Sequence, residues 1–263
     1  AANTTGGFNT SIGSCSLNAN QTGASNVALG FRSLKLNTAN SNTAIGKDAL
    51  QSNTSGTSNV AVGDSALDAN TTASANTAIG ASALKANTTG PNNTAVGHNA
   101  LLSNTTGCRN TAVGRDALYS VTTGIQNVAF GRNSGADAVF NVTSESNRGI
   151  FGHNDITNAY VKVAWTVTSD LRDKTNFGTV PHGLDFINKL EPVSFQFKKS
   201  RTSDTPHGDM RYGFKAQDIL ALEGDNPVII DTEFEESLKY KGEHLVPVLV
   251  NAIKELSETN KDL

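Results

Sequence analysis

Five-residue stretches of one design punctuate the first half of the chain: an asparagine, an apolar or threonine residue, a small residue, an apolar residue and a glycine. They read NTSIG at Asn9, NVALG at Asn26, NTAIG at Asn42, NVAVG at Asn59, NTAIG at Asn76, NTAVG at Asn93 and Asn110, and NVAFG at Asn127. The closing glycines, Gly13, Gly30, Gly46, Gly63, Gly80, Gly97, Gly114 and Gly131, are 17 residues apart with a single spacing of 16. The missing residue falls between Asn37 and Ser41, so repeat length varies in a turn and not in an extended segment. Four residues after most glycines stands a leucine (Leu17, Leu34, Leu50, Leu67, Leu84, Leu101, Leu118), and three further on an asparagine, as at Asn53, Asn70, Asn87 and Asn104.

Side chains alternate across a strand, so Thr43 and Ile45 face one way and Ala44 the other, and alanines at fixed phase suit a narrow interior. Each repeat is predicted to hold two short extended segments separated by Gly and Asn turns, residue types that tolerate positive φ. Gly and Asn at this density disfavour a helix. One rung per repeat at about 4.8 Å predicts a rod on the order of 40 Å long for eight rungs. A single leucine and one medium aliphatic per rung bury little against chain entropy, which predicts an obligate oligomer.

The period stops at Ala136. Residues 136–168 read as a stalk or connector, with YVKVAWTV (160–167) as a strand carrying Val161, Val163, Trp165 and Val167 on one face. Beyond it, GLDFINKL has helical spacing at Leu184, Ile187 and Leu190, and PVSFQFK alternates Val193, Phe195 and Phe197 as a half-buried strand. RYGFKAQDILAL reads as a strand running into a short helix, NPVIID as another strand, and the tail EHLVPVLVNAIKELSETNK as the longest helix. There Leu245, Leu249, Ala252 and Leu256 follow a 4, 3, 4 spacing, and Pro247 suits a first helical turn. That seam fits docking on its own domain or a three-helix bundle about a symmetry axis. The predicted fold class is therefore mainly β in the N-terminal half, as a β-roll or solenoid of 17-residue repeats, and α+β in the C-terminal domain, ending in a long helix.

Composition sharpens the division. Up to Gly135 the chain carries 11 charged residues, 1 proline and 16 of its 24 glycines, whereas the remaining 128 residues carry 34 charges, 5 prolines and the only tryptophan. A net charge of −3 with scattered lysines and arginines gives no footprint for nucleic acid. No apolar run approaches the roughly 20 residues that span a bilayer, so membrane insertion is not expected. Cys15 and Cys108 are too few and too far apart for a disulfide framework or a zinc site, and neither a metal nor a cofactor is expected. Regular aspartates for calcium are lacking. The Asn-x-Ser/Thr triplets at Asn70 and Asn87 read as by-products of the turns rather than glycan acceptors.

The chemistry candidate is Ser169 with Lys174. A lysine kept neutral by burial can activate a serine hydroxyl, and a spacing of five permits a turn that folds one over the other. His182, His207 and His244 are alternative bases, though no spacing links them to Ser169.

Two resemblances bear on this. The repeat SNTAIGKDALQSNTSG resembles the trimeric, left-handed β-roll of trimeric adhesin heads and similar repeats in phage tail-fibre shafts. The string SDLRDKTNF, GLDFINKLEPVSFQFK, YGFKAQDI and LVPVLVNAIKEL, in that order, is similar to the C-terminal intramolecular chaperone and auto-processing domain of phage tail spikes and fibres. That domain also occurs in a membrane-anchored eukaryotic transcription factor.

The resemblance implies Ser169 as nucleophile and Lys174 as general base, with Asp170 and Arg172 completing the motif and cleavage at the junction of Thr168, Ser169 and Asp170 after a homotrimer assembles. It further implies a virion tail fibre or spike, the chaperone being released in the host cytoplasm, with a host-surface receptor, expected to be a glycan, for the mature fibre. The expected organisation is 1–135 β-roll shaft, 136–168 connector and 169–263 chaperone domain. The start AANTTGG enters mid-repeat, so an upstream virion-attachment region is expected. The competing expectation is a passive trimeric surface adhesin or structural fibre whose C-terminal domain only trimerises.

Overall fold

The computed structural model describes residues 3–136, 141–153, 156, 160, 169, 171–200, 202–233 and 238–261. The chain divides into two compact units, Ala1–Ile156 and Thr157–Leu263.

In the first unit the repeat motifs form three-residue strands: β1 (Thr10–Ile12), β2 (Val27–Leu29), β3 (Thr43–Ile45), β4 (Val60–Val62), β5 (Thr77–Ile79), β6 (Thr94–Val96), β7 (Thr111–Val113) and β8 (Val128–Phe130). With β9 (Gly149–Phe151) they make one nine-stranded parallel sheet in sequential order, the stacked wall of a β-solenoid. Register is set residue on residue: Ala44 pairs with Ala61, Ala61 with Ala78, Ala78 with Ala95. The central alanine points inward and is buried on every rung from Ala28 to Ala129, as the alternation predicts.

The second predicted extended segment is not a strand. Around Leu50 and its equivalents the chain makes turns in which each leucine sits at positive φ, from 47° to 52°, with its side chain buried in the core. Coil-to-coil bonds hold these turns: Leu50 N donates to Ala66 O at 3.0 Å and Leu67 N to Ala83 O at 3.0 Å. The rung glycines have a separate reason. Gly97 lies at φ +135°, and a Cβ on it would come within 2.5 Å of the Gly114 carbonyl oxygen on the next coil.

Asn92, Asn99 and Asn133 are left-handed turn residues, but the asparagines that recur from repeat to repeat are not; positive φ falls instead on the residue before each rung's leading asparagine, such as Ser58 and Ala75. The recurring asparagines form two buried columns. In one, Asn70 Nδ2 donates to Asn53 Oδ1 (2.8 Å), Asn87 to Asn70 (2.9 Å) and Asn104 to Asn87 (2.8 Å). In the other, the backbone N–H of each rung's leading asparagine donates to the side-chain oxygen of the one before, as Asn59 to Asn42 at 3.0 Å. Asn70 and Asn87 are wholly buried, which excludes them as glycan acceptors in the folded solenoid. The short repeat is visible too. Asn53 Nδ2 reaches three residues ahead to Gly56 O, while Asn37 Nδ2 reaches only two, to Ala39 O.

Two expectations need adjustment. The sheet continues to β9, past the shaft end placed at residue 135 and into the segment read as connector. The alanine, leucine and asparagine interior is completed within one chain, so neighbouring copies are not needed to fill it. What stays exposed is the outer strand face, including Ile12, Leu29, Ile79, Phe130 and Phe151.

The second unit is α+β. It contains α1 (Leu184–Asn188), the antiparallel pair β10 (Val193–Ser200) and β11 (Ser203–Gly213), α2 (Ala216–Glu223), the short pair β12 (Ile230–Asp231) and β13 (Lys239–Tyr240), and α3 (Leu245–Thr259). Its core gathers Phe186 of α1, Ile219 of α2, Ile229, Ile230, Leu245 and Val248. The strand expected over residues 160–167 lies outside the described residues, apart from an exposed Tyr160.

Candidate functional site

Three residues between Ser169 and Lys174, Leu171–Asp173, wind into one 3-10 turn, closed when Lys174 N donates to Leu171 O at 3.2 Å. A 3-10 turn has three residues per turn and rises steeply, so it reverses the chain over a short span. It brings Lys174 Nζ to Ser169 Oγ at 2.7 Å, with the amine donating. The spacing of five thus becomes a direct contact. Both side chains are exposed in the isolated chain.

The segment leaving the pair is tied down further along. Asn251 Nδ2 of α3 donates to the carbonyls of Val180 (3.2 Å) and His182 (3.3 Å). Glu255 Oε2, one turn on, accepts the Leu184 N–H at the start of α1 at 2.6 Å, a carboxylate cap supplied by a residue 71 positions away. A second carboxylate clamp holds the loop after α2. Glu223 Oε1 accepts from Val228 N (2.7 Å) and Ile229 N (2.6 Å), and Oε2 from Ile230 N (2.9 Å). Sequence reasoning missed both glutamates, because their partners are backbone groups distant in sequence.

Of the other predicted site residues, Arg172 is exposed on the 3-10 turn, while Thr168 and Asp170 lie outside the described residues. The alternative bases are placed elsewhere. His182 stacks on Phe186 with centroids 4.4 Å apart, His207 pairs with Phe197 in the β10–β11 hairpin, and His244 lies at the start of α3 with Nε2 3.8 Å from Glu243. None has a hydrogen bond to Ser169 among those described. Cys15 and Cys108 are free thiols, one exposed and one half-buried. Among the described residues no group of three His, Cys, Asp or Glu could hold a metal, and no helix is long and apolar enough to cross a membrane.

The parallel solenoid is followed along the chain by a small α+β unit that carries the serine–lysine contact. Residues 169–226 match a peptidase family described as the chaperone of endosialidase. The match begins at the serine of the pair, and with the solenoid it fits a tail fibre with a C-terminal chaperone domain. No match was found among curated proteins or among solved structures.

Proposed function

We propose that the chain is part of a homotrimeric tail fibre or spike whose C-terminal domain aligns three solenoids during folding and then cuts itself off at Ser169. The observation that carries this reading is the 2.7 Å contact between Lys174 Nζ and Ser169 Oγ, at the first residue of the family match. A repeat offers many slipped alignments, and a domain that gathers three chains at one end removes that ambiguity before the rungs form.

The chemistry follows from the pair. Neutral Lys174 takes the proton of Ser169 Oγ as that oxygen attacks the carbonyl carbon of Thr168. The new C–O bond forms, the C–N bond to Ser169 breaks, and the proton passes from Lys174 to the departing nitrogen, leaving an ester across the junction. Water then hydrolyses the ester, giving a carboxylate on Thr168 and a free amine on Ser169. Lys174 and Ser169 are both exposed in the single chain, and in this reading cleavage follows the coming together of the chains. The product that persists is the shaft, its receptor a host-surface glycan.

The exposure of both side chains also favours the competing reading, a passive trimeric fibre in which this contact is an ordinary surface hydrogen bond. Denaturing electrophoresis with mass spectrometry separates them. Self-cleavage gives two fragments meeting at the Ser169 junction, and their masses name the bond; a passive fibre leaves one 27.5 kDa chain.

A further inference from the structure

Everything that makes the serine–lysine contact lies on the C-terminal side of the proposed cut. Ser169 Oγ, the 3-10 turn Leu171–Asp173 that reverses the chain, and the Lys174 Nζ that meets the serine at 2.7 Å all belong to the released part. The turn closes inside that same stretch, through Lys174 N donating to Leu171 O at 3.2 Å. Self-cleavage uses up the Thr168 carbonyl but returns both side chains unchanged. It also creates one new group, an α-amine on Ser169, on the carbon next to the one that carries Oγ. Both side chains are exposed, so a donor from outside can reach them.

We propose that the released domain is an acyl acceptor at Ser169: the pair takes an acyl group from an acyl thioester onto Oγ, and the new α-amine draws it off as a stable amide. The inference rests on the self-cleavage of the proposed function and adds an activity that begins where that reaction ends. Lys174 takes the Oγ proton as that oxygen attacks the thioester carbonyl. The new C–O bond forms, the C–S bond breaks, and the proton leaves with the sulfur as a free thiol. The α-amine then attacks the ester carbonyl through a compact ring closed by Cα and Cβ of the same residue. A C–N bond replaces the C–O bond, and an amine proton returns to Oγ. The net change is one acyl group moved from sulfur to nitrogen, with one thiol released.

Two physical points select this donor and a single turnover. An amide carbonyl reacts at the pair only when the chain itself holds it there, as at Thr168. A thioester carbonyl is more electrophilic and needs no such tether, which suits a pair open to solvent. The α-amine is already in place beside the ester, so the transfer to nitrogen outruns attack by water. The resulting amide is no longer activated, and acylation stops at one group per domain.

The test uses the full-length chain after self-cleavage, with the products left together, and acetyl-coenzyme A as the probe. Intact masses are read first, and the fragment that begins at Ser169 is expected to gain one acetyl group. Peptide mapping should place it at Ser169 rather than on a lysine, in a form that resists hydroxylamine, which strips esters but not amides. A positioned base contributes about 100-fold or more, and unfolding disperses the pair. The native mixture should therefore react at least about 10-fold faster than the same mixture in guanidinium. Equal rates overturn the proposal, as does acetylation spread over the lysines. Thiol release that continues past one equivalent also overturns it, since the domain would then be a hydrolase. A cut chain that takes no acetyl group, or a fragment that begins at Asp170, refutes the acyl acceptor and leaves self-cleavage standing. A chain that is never cut refutes the self-cleavage reading itself, and this inference with it.

Discussion

Asn53 Nδ2 donates to Asn37 Oδ1 at 2.6 Å across the one repeat that is a residue short. The buried asparagine column therefore bridges the irregularity and runs unbroken from Asn37 through Asn53, Asn70 and Asn87 to Asn104. It ends where Val121 takes the next position and offers no donor, leaving Asn104 Oδ1 without a partner. Its inner members, Asn53, Asn70 and Asn87, each both donate and accept along the column, and such a column is expected to lose more on interruption than one contact's worth.

Removing a middle member tests this. Asn87→Ala deletes the donor to Asn70 Oδ1 and the acceptor for Asn104 Nδ2, both buried, and is expected to destabilise the solenoid by about 2–4 kcal/mol. The exposed substitution Thr72→Ala is expected to stay within about 0.5 kcal/mol. Denaturant midpoints of the two variants give the comparison.

The leucine column makes a less intuitive prediction. Exchanging Leu for Ile in a core ordinarily costs below about 1.5 kcal/mol, because volume is kept. Leu67 lies at φ 52°, a region in which a β-branched side chain is strained. Leu67→Ile is therefore expected to cost about 2–4 kcal/mol, comparable to Leu67→Ala, by the same denaturant measurement.

Asp68 supplies a pH dependence. Burial, and next the Asp48 carboxylate, raise its pKa above 3.8, against the opposing pull of Lys85 and Arg32. A carboxyl whose pKa is higher folded than unfolded binds its proton more readily in the native state, so its ionisation opposes folding above the folded pKa. That cost fades as pH falls through the folded pKa and is gone below the unfolded one. Asp68→Asn is expected to stabilise the solenoid at pH 7, by under about 1 kcal/mol once solvent screening at this half-exposed site is discounted. Melting at pH 7 and again below 3.8 should show a gain at the first pH and none at the second.

How far the sequence alone leads differs between residues. The strand triplets, the inward alanines, the buried leucines and the turn that absorbs the short repeat follow directly from side-chain size at fixed phase. The asparagine columns do not, because Asn is equally a turn former, and left-handed φ at Ser58, Ala75 or Arg109 is imposed by coil-to-coil bonds rather than by residue preference. The ninth rung is hidden in RGIFG, where Arg148 replaces the asparagine and Ile150 the alanine, 21 residues after the previous copy instead of 17. Strand β11 is disguised by Pro206 and Gly208, which a two-stranded hairpin tolerates because one edge of each strand is free. In the site, the spacing of Ser169 and Lys174 allowed a contact without requiring one. The 3-10 turn supplies it, while Glu223 and Glu255 act on backbone groups that no local pattern names.

The clamp from α3 to the segment after Lys174 is expected to matter for cleavage through position rather than chemistry. Glu255→Gln keeps an acceptor for Leu184 N and should cleave at a rate close to the parent, whereas Glu255→Ala should slow cleavage and lower the melting temperature together. Parallel loss of both in the alanine variant, with recovery in glutamine, marks a positioning residue.

The central claim is that Ser169 and Lys174 perform a single self-cleavage. Its most direct measurement is the intact mass of full-length chain after expression and assembly, for the parent, Ser169→Ala and Lys174→Met. The account predicts two fragments from the parent, divided at the Ser169 junction, and one uncut 27.5 kDa chain from each variant at the same oligomeric state. An assembled parent that remains uncut, or variants that are cut like the parent, would contradict it.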